Sequence, residues 1–231
     1  MKKIILISIM TVIVIFSNMV FANTLNNNEN ESANPQERID NIGFRILNSN
    51  GIEHRIVFSY NSSKTENAYT NSRNRQVILN KGLYSRLSSD DEIAVVLSHE
   101  ISHAIDSYNG IFRGAFSHMS YSLSPKKYEY KADKRAVDFM VNAGYNPVAF
   151  IVTMNKIAPQ RRYDWCSKHP LTSKRLMEVY EYIYKKYPEY LVNNAYKESP
   201  FYQNFLLTSR DNRAKFKKKI EQKSKSSEYY K

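Results

Sequence analysis

Ser89-Asp90-Asp91-Glu92 opens the most demanding segment of this chain. Ser89 reads as an N-cap and Glu92, three residues on, completes a capping box, so a helix is expected to run on through Ile93, Val96, Leu97 and Ala104. Its middle, residues 95–106, reads VVLSHEISHAID, two histidines and a glutamate inside an otherwise apolar run. Any fold must bury one side of this helix and still give those three side chains an environment that tolerates them. On a helix His99 and His103 project about 40° apart and one turn along the axis. Both imidazoles reach one cation from there, and Glu100 beside them is placed to take a proton from a water at that cation.

A hydrolytic zinc site takes three protein ligands and keeps a fourth position open. One large class has its third histidine ten residues after the first, but that position is Asn109 here, and Asp106 stands where the class has glycine. Asp106 lies about 10 Å along the axis from His99, too far for three ligands on one straight helix to converge. It is left an outer or solvated role. The first glutamate after His103 is Glu129, in Glu129-Tyr130-Lys131-Ala132-Asp133, with Asp133 one turn beyond on the same face. Ser124-Pro125 is expected to start the helix that carries them, with Gly144 as its left-handed stop. Glu129 as a ligand from this second helix, with Asp133 orienting a ligating histidine, completes the chemistry. A solvated face shared with Lys131 and Lys134 is the plainer alternative.

The flanking segments give the fold class. Asn34-Pro35-Gln36-Glu37 starts a helix bearing Ile39, Ile42 and Ile46 and ending near Gly51. His54 to Tyr60, Asn67 to Thr70 and Gln76 to Asn80 are short strand candidates with Asn/Ser-rich breaks, which together suggest a small antiparallel sheet. Asn146-Pro147 begins a shorter helix, and a last long helix follows His169-Pro170 and stops before Pro188. The expected class is α+β, mainly helical.

Three motifs in order, HEISH at 99–103, EYKAD at 129–133 followed by AGYNP, and HPLTSKR at 169–175, resemble the gluzincin peptidases of metallopeptidase family forty-eight. That is the family of the HtpX heat-shock protease, the BepA-type periplasmic proteases and the CAAX prenyl proteases. NAY at 67–69, GLY at 82–84 and DEIAVVL before the histidines extend the similarity over about residues 35–185. The resemblance implies a zincin-like metalloprotease domain with one Zn2+ held by His99, His103 and Glu129, Glu100 as general base and Asp133 as the partner behind a ligand. It implies catalytic roles for His169 and Arg175. His169 would donate to the oxyanion or close the fourth zinc position at rest, with helix capping or packing as the alternative; Arg175 would pair with Asp133 or with substrate. Asn67 and Ala68 would lie on a sheet edge that pairs with an extended peptide. Where relatives often carry a further histidine this chain has Tyr108, and the short link from His103 to Glu129 lacks lid-like insertions, so an open cleft is expected.

Met1-Lys2-Lys3, the apolar run Ile4 to Phe16 and the small residues near Ala22 have the layout of an export signal over 1–22, with an uncleaved anchor as the alternative. Six asparagines in 23–34 read as a linker, 35–209 as the peptidase domain and 210–231 as a basic tail. The single cysteine, Cys166, leaves no internal disulfide, so packing or a metal must stabilise an exported fold. Of the net charge of +12, the tail holds nine Lys/Arg against three Asp/Glu. Export argues against a nucleic acid partner; the tail suits an anionic membrane surface or an acidic protein, or is simply solvated and frayed. The expected function is a zinc endopeptidase of the bacterial cell envelope, most simply the periplasm, acting on unfolded or misassembled protein in quality control. Secretion or inner-membrane anchoring are the other locations, and a zinc-containing chaperone or assembly factor that binds clients without cutting them is the alternative function.

Overall fold

The computed structural model describes residues 34–71, 74–108, 125–158 and 172–223. Contacts divide the chain into Met1–Arg38 and Ile39–Lys231. The described part of the first unit is the start of helix α1 (Pro35–Ser49), where Asn34 Oδ1 accepts from the Gln36 N–H at 3.1 Å. Everything below concerns the second unit. The expected signal segment 1–22, all but the last residue of the linker 23–34, Cys166 and His169 lie outside the described residues. Among the described helices none is long and apolar enough to cross a membrane.

Ile39, Ile42, Ile46 and Leu47 line the buried side of α1, and Gly51, at φ +57°, follows its end. Three strands follow, β1 (Val57–Asn61), β2 (Ala68–Asn71) and β3 (Gln76–Asn80), in the order β1-β3-β2. The strand candidates are all present, but the sheet is mixed rather than antiparallel: β2 pairs antiparallel with β3, whereas β1 pairs parallel with it. Periodicity along a strand does not say which neighbour it takes. Here β3, with Val77 and Leu79 fully buried, takes the centre, and the more polar AYTN of β2 is left at an edge.

After the short α2 (Lys81–Tyr84) comes the central helix α3 (Asp90–Tyr108). Ser89 Oγ accepts from the Glu92 N–H at 3.2 Å, and Glu92 Oε2 accepts from the N–H of Ser88, one residue earlier than a strict capping box, at 2.7 Å. With Ile93, Ala94, Leu97, Ser98, Ile101 and Ser102 buried, α3 packs against β2 and β3 and against two further helices, α4 (Pro125–Asn142) and α5 (Ala149–Ile157). Gly144, at φ +76°, closes α4. Helix α6 (Thr172–Lys186) then covers α4 and α5.

Beyond Pro188 the chain is more structured than its composition suggests, forming α7 (Pro188–Val192), α8 (Pro200–Thr208) and α9 (Arg210–Glu221). The segment expected as a solvated, frayed tail is, through Glu221, a helix packed on α6 and α8. Asn212, Phe216 and Lys219 recur at helical spacing and are buried; Phe216 stands edge-on to Tyr184 with centroids 5.2 Å apart. The many lysines around this stripe hide it from a composition-based argument.

Candidate metal centre and active site

Helices α3 and α4 lie side by side, and that contact assembles the site. The capped start of α3 sets which turns face α4: His99 and His103 project toward it from one side, and Glu129 projects back from the second turn of α4. The two histidine Nε2 atoms are 3.1 Å apart. Glu129 Oε2 is 3.6 Å from His99 Nε2, and its Oε1 is 3.4 Å from His103 Nε2. Ligand atoms about 2.0–2.1 Å from a tetrahedral ion lie about 3.3–3.4 Å from one another. The three side chains therefore present two nitrogens and a carboxylate at the separations one metal ion requires, and the donor set suits a borderline-soft divalent cation. The histidine side chains keep 16% and 18% of their exposure, so the position between them is not sealed from solvent.

Behind the ligands sits a buried ionic group. Asp133, one turn beyond Glu129, places Oδ1 3.0 Å from His99 Nδ1, close although its geometry falls short of a formed hydrogen bond. A carboxylate there favours the proton on Nδ1 and the lone pair on Nε2, the tautomer that a ligand needs. Arg175, from α6, donates to both Asp133 oxygens, and its Nη1 lies 3.3 Å from Glu129 Oε2. Of the two partners expected for Arg175, Asp133 is the one it is seen to hold. A guanidinium buried and committed in this way is placed to brace the residues around the centre.

The electrostatics follow from this packing. Burial works against ionised Asp133, but the Arg175 charge and hydrogen bonds, with His99, outweigh it and hold its carboxyl below the ordinary range. Arg175 is likewise pushed up, burial being outweighed chiefly by Asp133. For His103, burial lowers and the Glu129 hydrogen bond and the charges of Glu100, Glu129 and Asp133 raise; the net is an imidazole above its ordinary pKa. The alternative of a solvated face for Glu129 and Asp133 is excluded, since they are only 3% and 1% exposed. Lys131 and Lys134 turn instead to Asp106 and Glu178.

Asp106, expected to be outer or solvated, is buried and away from the ligands, accepting from Arg135 Nη1 at 2.9 Å and Lys131 Nζ at 3.1 Å, which ties α3 to α4. Asn67 turns its main chain inward: its carbonyl accepts from the Asn80 N–H and its own N–H donates to Thr65. With Ala68 opposite Leu79 and Thr70 opposite Val77, the antiparallel alternation points the N–H and C=O of Ala68 and Thr70 away from β3, toward the open edge. The main-chain groups of Asn67 are thus used within the fold, whereas those of Ala68 and Thr70 face the open edge. Thr70 also carries the contact that sequence reasoning missed, its Oγ1 lying 2.9 Å from Glu100 Oε2 and 2.9 Å from the Glu100 carbonyl oxygen. Nothing in the order of residues flags a threonine thirty positions upstream as a neighbour of Glu100. His169 and the link across 109–124 lie outside the described residues, so neither the expected role of His169 nor the open cleft is placed.

Residues 33–111 match the family model of peptidase family M48. Over that stretch, about a third of the chain, it is similar to the M48 peptidases. That likeness indicates a metalloendopeptidase, which would act on protein or peptide substrates. The matched M48 stretch includes both histidines and Glu100 and ends before Glu129, so the third ligand rests on the geometry of α4 against α3. No curated protein matches the chain significantly in sequence.

Proposed function

We propose that this protein is a zinc-dependent endopeptidase of the bacterial cell envelope, of the M48 kind, that cleaves unfolded or misassembled proteins. The observation that carries the reading is the triangle of His99 Nε2, His103 Nε2 and Glu129 at tetrahedral separations, with Glu100 on the turn between the two histidines. A zinc ion held there supplies Lewis acidity, lowering the pKa of a water and polarising the scissile carbonyl. Glu100 accepts the proton of the attacking water and delivers it to the leaving amine. Ala68 and Thr70 pair with an extended stretch of substrate through their outward main-chain groups, a mode that reads backbone rather than side chains and so favours unfolded chains. His169 serves as donor to the oxyanion of the attacked carbonyl or as a resting ligand, and the position of Asp133 and Arg175 keeps the ligand set in place.

The export-like residues 1–22 support the envelope location, the periplasm first. Exposed Arg210, Lys217, Lys218 and Lys223 support a secondary contact with an anionic membrane surface. The test is metal analysis and casein digestion by the purified protein, with and without chelator, beside Glu100→Gln. One zinc per chain, chelator-sensitive cleavage and a metal-loaded but inactive E100Q are expected. Cleavage by E100Q at the wild-type rate would remove Glu100 as base; bound zinc with no cleavage by the wild type would favour the chaperone. N-terminal sequencing of protein from fractionated cells tests export, with a start at Asn23 in the periplasmic fraction as the expected result.

A further inference from the structure

Thr70 stands where the edge strand meets the base. Its hydroxyl has one proton and two acceptors within reach, the Glu100 carboxylate and the Glu100 main-chain carbonyl, each at 2.9 Å. Donating to either, or shared between both, it tethers the carboxylate against its own helix turn and limits a side chain that otherwise samples many rotamers. The tether is stiff. Threonine is branched at Cβ, and Thr70 is half-buried in a strand that packs on α3. The main chain of the same residue faces the open edge of β2, where an extended peptide would pair.

We propose that Thr70 is a positioning residue that sets the Glu100 carboxylate and couples its placement to occupancy of the β2 edge. This rests on Glu100 being the base. A peptide that pairs with the Thr70 main chain stiffens β2, and the hydroxyl on that strand transmits the restraint to the carboxylate. Binding energy from residues remote from the scissile bond then appears in kcat rather than in KM, because it is used to order the reacting group.

The experiment compares wild type, Thr70→Val, Thr70→Ser and Glu100→Gln on two fluorogenic peptides, one short and one extended by three residues along the edge. T70V replaces the hydroxyl by a methyl of similar shape. Its kcat is expected to fall by about tenfold with KM within about twofold, the loss of one hydrogen bond to a charged group. Zinc content, circular dichroism and melting temperature should match the wild type, and T70S should recover most of kcat. Lengthening the peptide should raise kcat in the wild type and only lower KM in T70V. An unchanged kcat in T70V beside an inactive E100Q overturns the role of Thr70 and leaves the base intact, whereas an active E100Q removes the base and the inference together. Should T70V misfold, Thr70→Ala carries the same comparison, with wild-type kcat in T70A the overturning result.

Discussion

Arg175 grips Asp133 through two parallel hydrogen bonds, Nε to Oδ2 at 2.7 Å and Nη2 to Oδ1 at 2.6 Å, with both side chains buried. Bidentate pairing of this kind is directional as well as strong. It fixes Asp133 behind His99, and the remaining nitrogen of Arg175 reaches toward Glu129, so one guanidinium braces two of the residues that define the centre.

Substituting Asp133 by Asn should therefore act on both fold and metal. Arg175 keeps Glu129 as a counter-charge at 3.3 Å, so the cost should be clear but fall below the roughly 3–5 kcal/mol of a buried charge left alone, read as a lower urea midpoint. Replacing the carboxylate behind His99 by a neutral, weaker acceptor should weaken metal affinity about 10–100-fold, read by competition with a chromogenic chelator. The sign with pH follows from the depressed pKa of Asp133. Its contribution is fully present above the ordinary carboxylate range and is lost as pH falls through the lower, folded value. In D133N that acid-dependent part of the stability curve should be absent.

Metal binding should itself fade with acid, and earlier than for an ordinary histidine site. The ligand form of His103 is neutral, while its surrounding carboxylates hold its pKa above the usual imidazole value in the metal-free protein. A proton then competes with the ion from a higher pH downward. Titrating the zinc-loaded protein against a chelator from pH 8 to 5 should show affinity falling from above the ordinary histidine range of about 6.5. Dialysis at the acid end should leave metal-free protein that rebinds on return to neutral pH.

How much of this was legible in the sequence depended on whether the signal was local. The cap at Ser89, the His99 to His103 spacing and the glycine stop at Gly144 are consequences of helix geometry within a few residues, and each is where the pattern put it. Glu129 and Asp133 share a face for the same reason, but their burial comes from α3, α4 and α6 meeting, and periodicity alone reads more readily as a solvated face. Parallel pairing of β1 with β3, the turn of the Asn67 main chain toward Asn80 and the reach of Thr70 to Glu100 are non-local. No spacing rule within a segment carries them. In α9 the reverse held: a buried stripe was present in the sequence but diluted among lysines.

Gly43 offers a test of the packing that seats α1 on the sheet. A Cβ at this position would fall 2.4 Å from Phe58 Cε2, well inside contact distance. Gly43→Ala gains helix propensity of up to about 1 kcal/mol, but forcing the ring aside costs about 1–3 kcal/mol, so the variant should be less stable. Thermal unfolding should show a lower midpoint. Pairing it with Phe58→Leu should lose less than the sum of the two single changes, because the smaller side chain relieves the clash.

The last prediction concerns the end of the described chain, where α9 either belongs to the fold or decorates it. Phe216 is 4% exposed and stacks edge-on against Tyr180 and Tyr184, so Phe216→Ala should cost about 3 kcal/mol or more, whereas an aromatic on a solvated tail would cost nothing measurable. Lys219 sharpens the comparison. Its Nζ lies 2.7 Å from Glu181 Oε1, with both side chains buried, but Lys185 also pairs with that oxygen from the next turn of α6. Lys219→Met leaves Glu181 with a cation and fills the same volume, so its cost should fall clearly below the roughly 3–5 kcal/mol of a buried charge left alone. The double change Lys185→Met with Lys219→Met should cost more than either single change. Urea unfolding of the four proteins, F216A, K219M, K185M and the double variant, resolves these values, and deletion of residues 210–231 should destabilise at least as much as F216A.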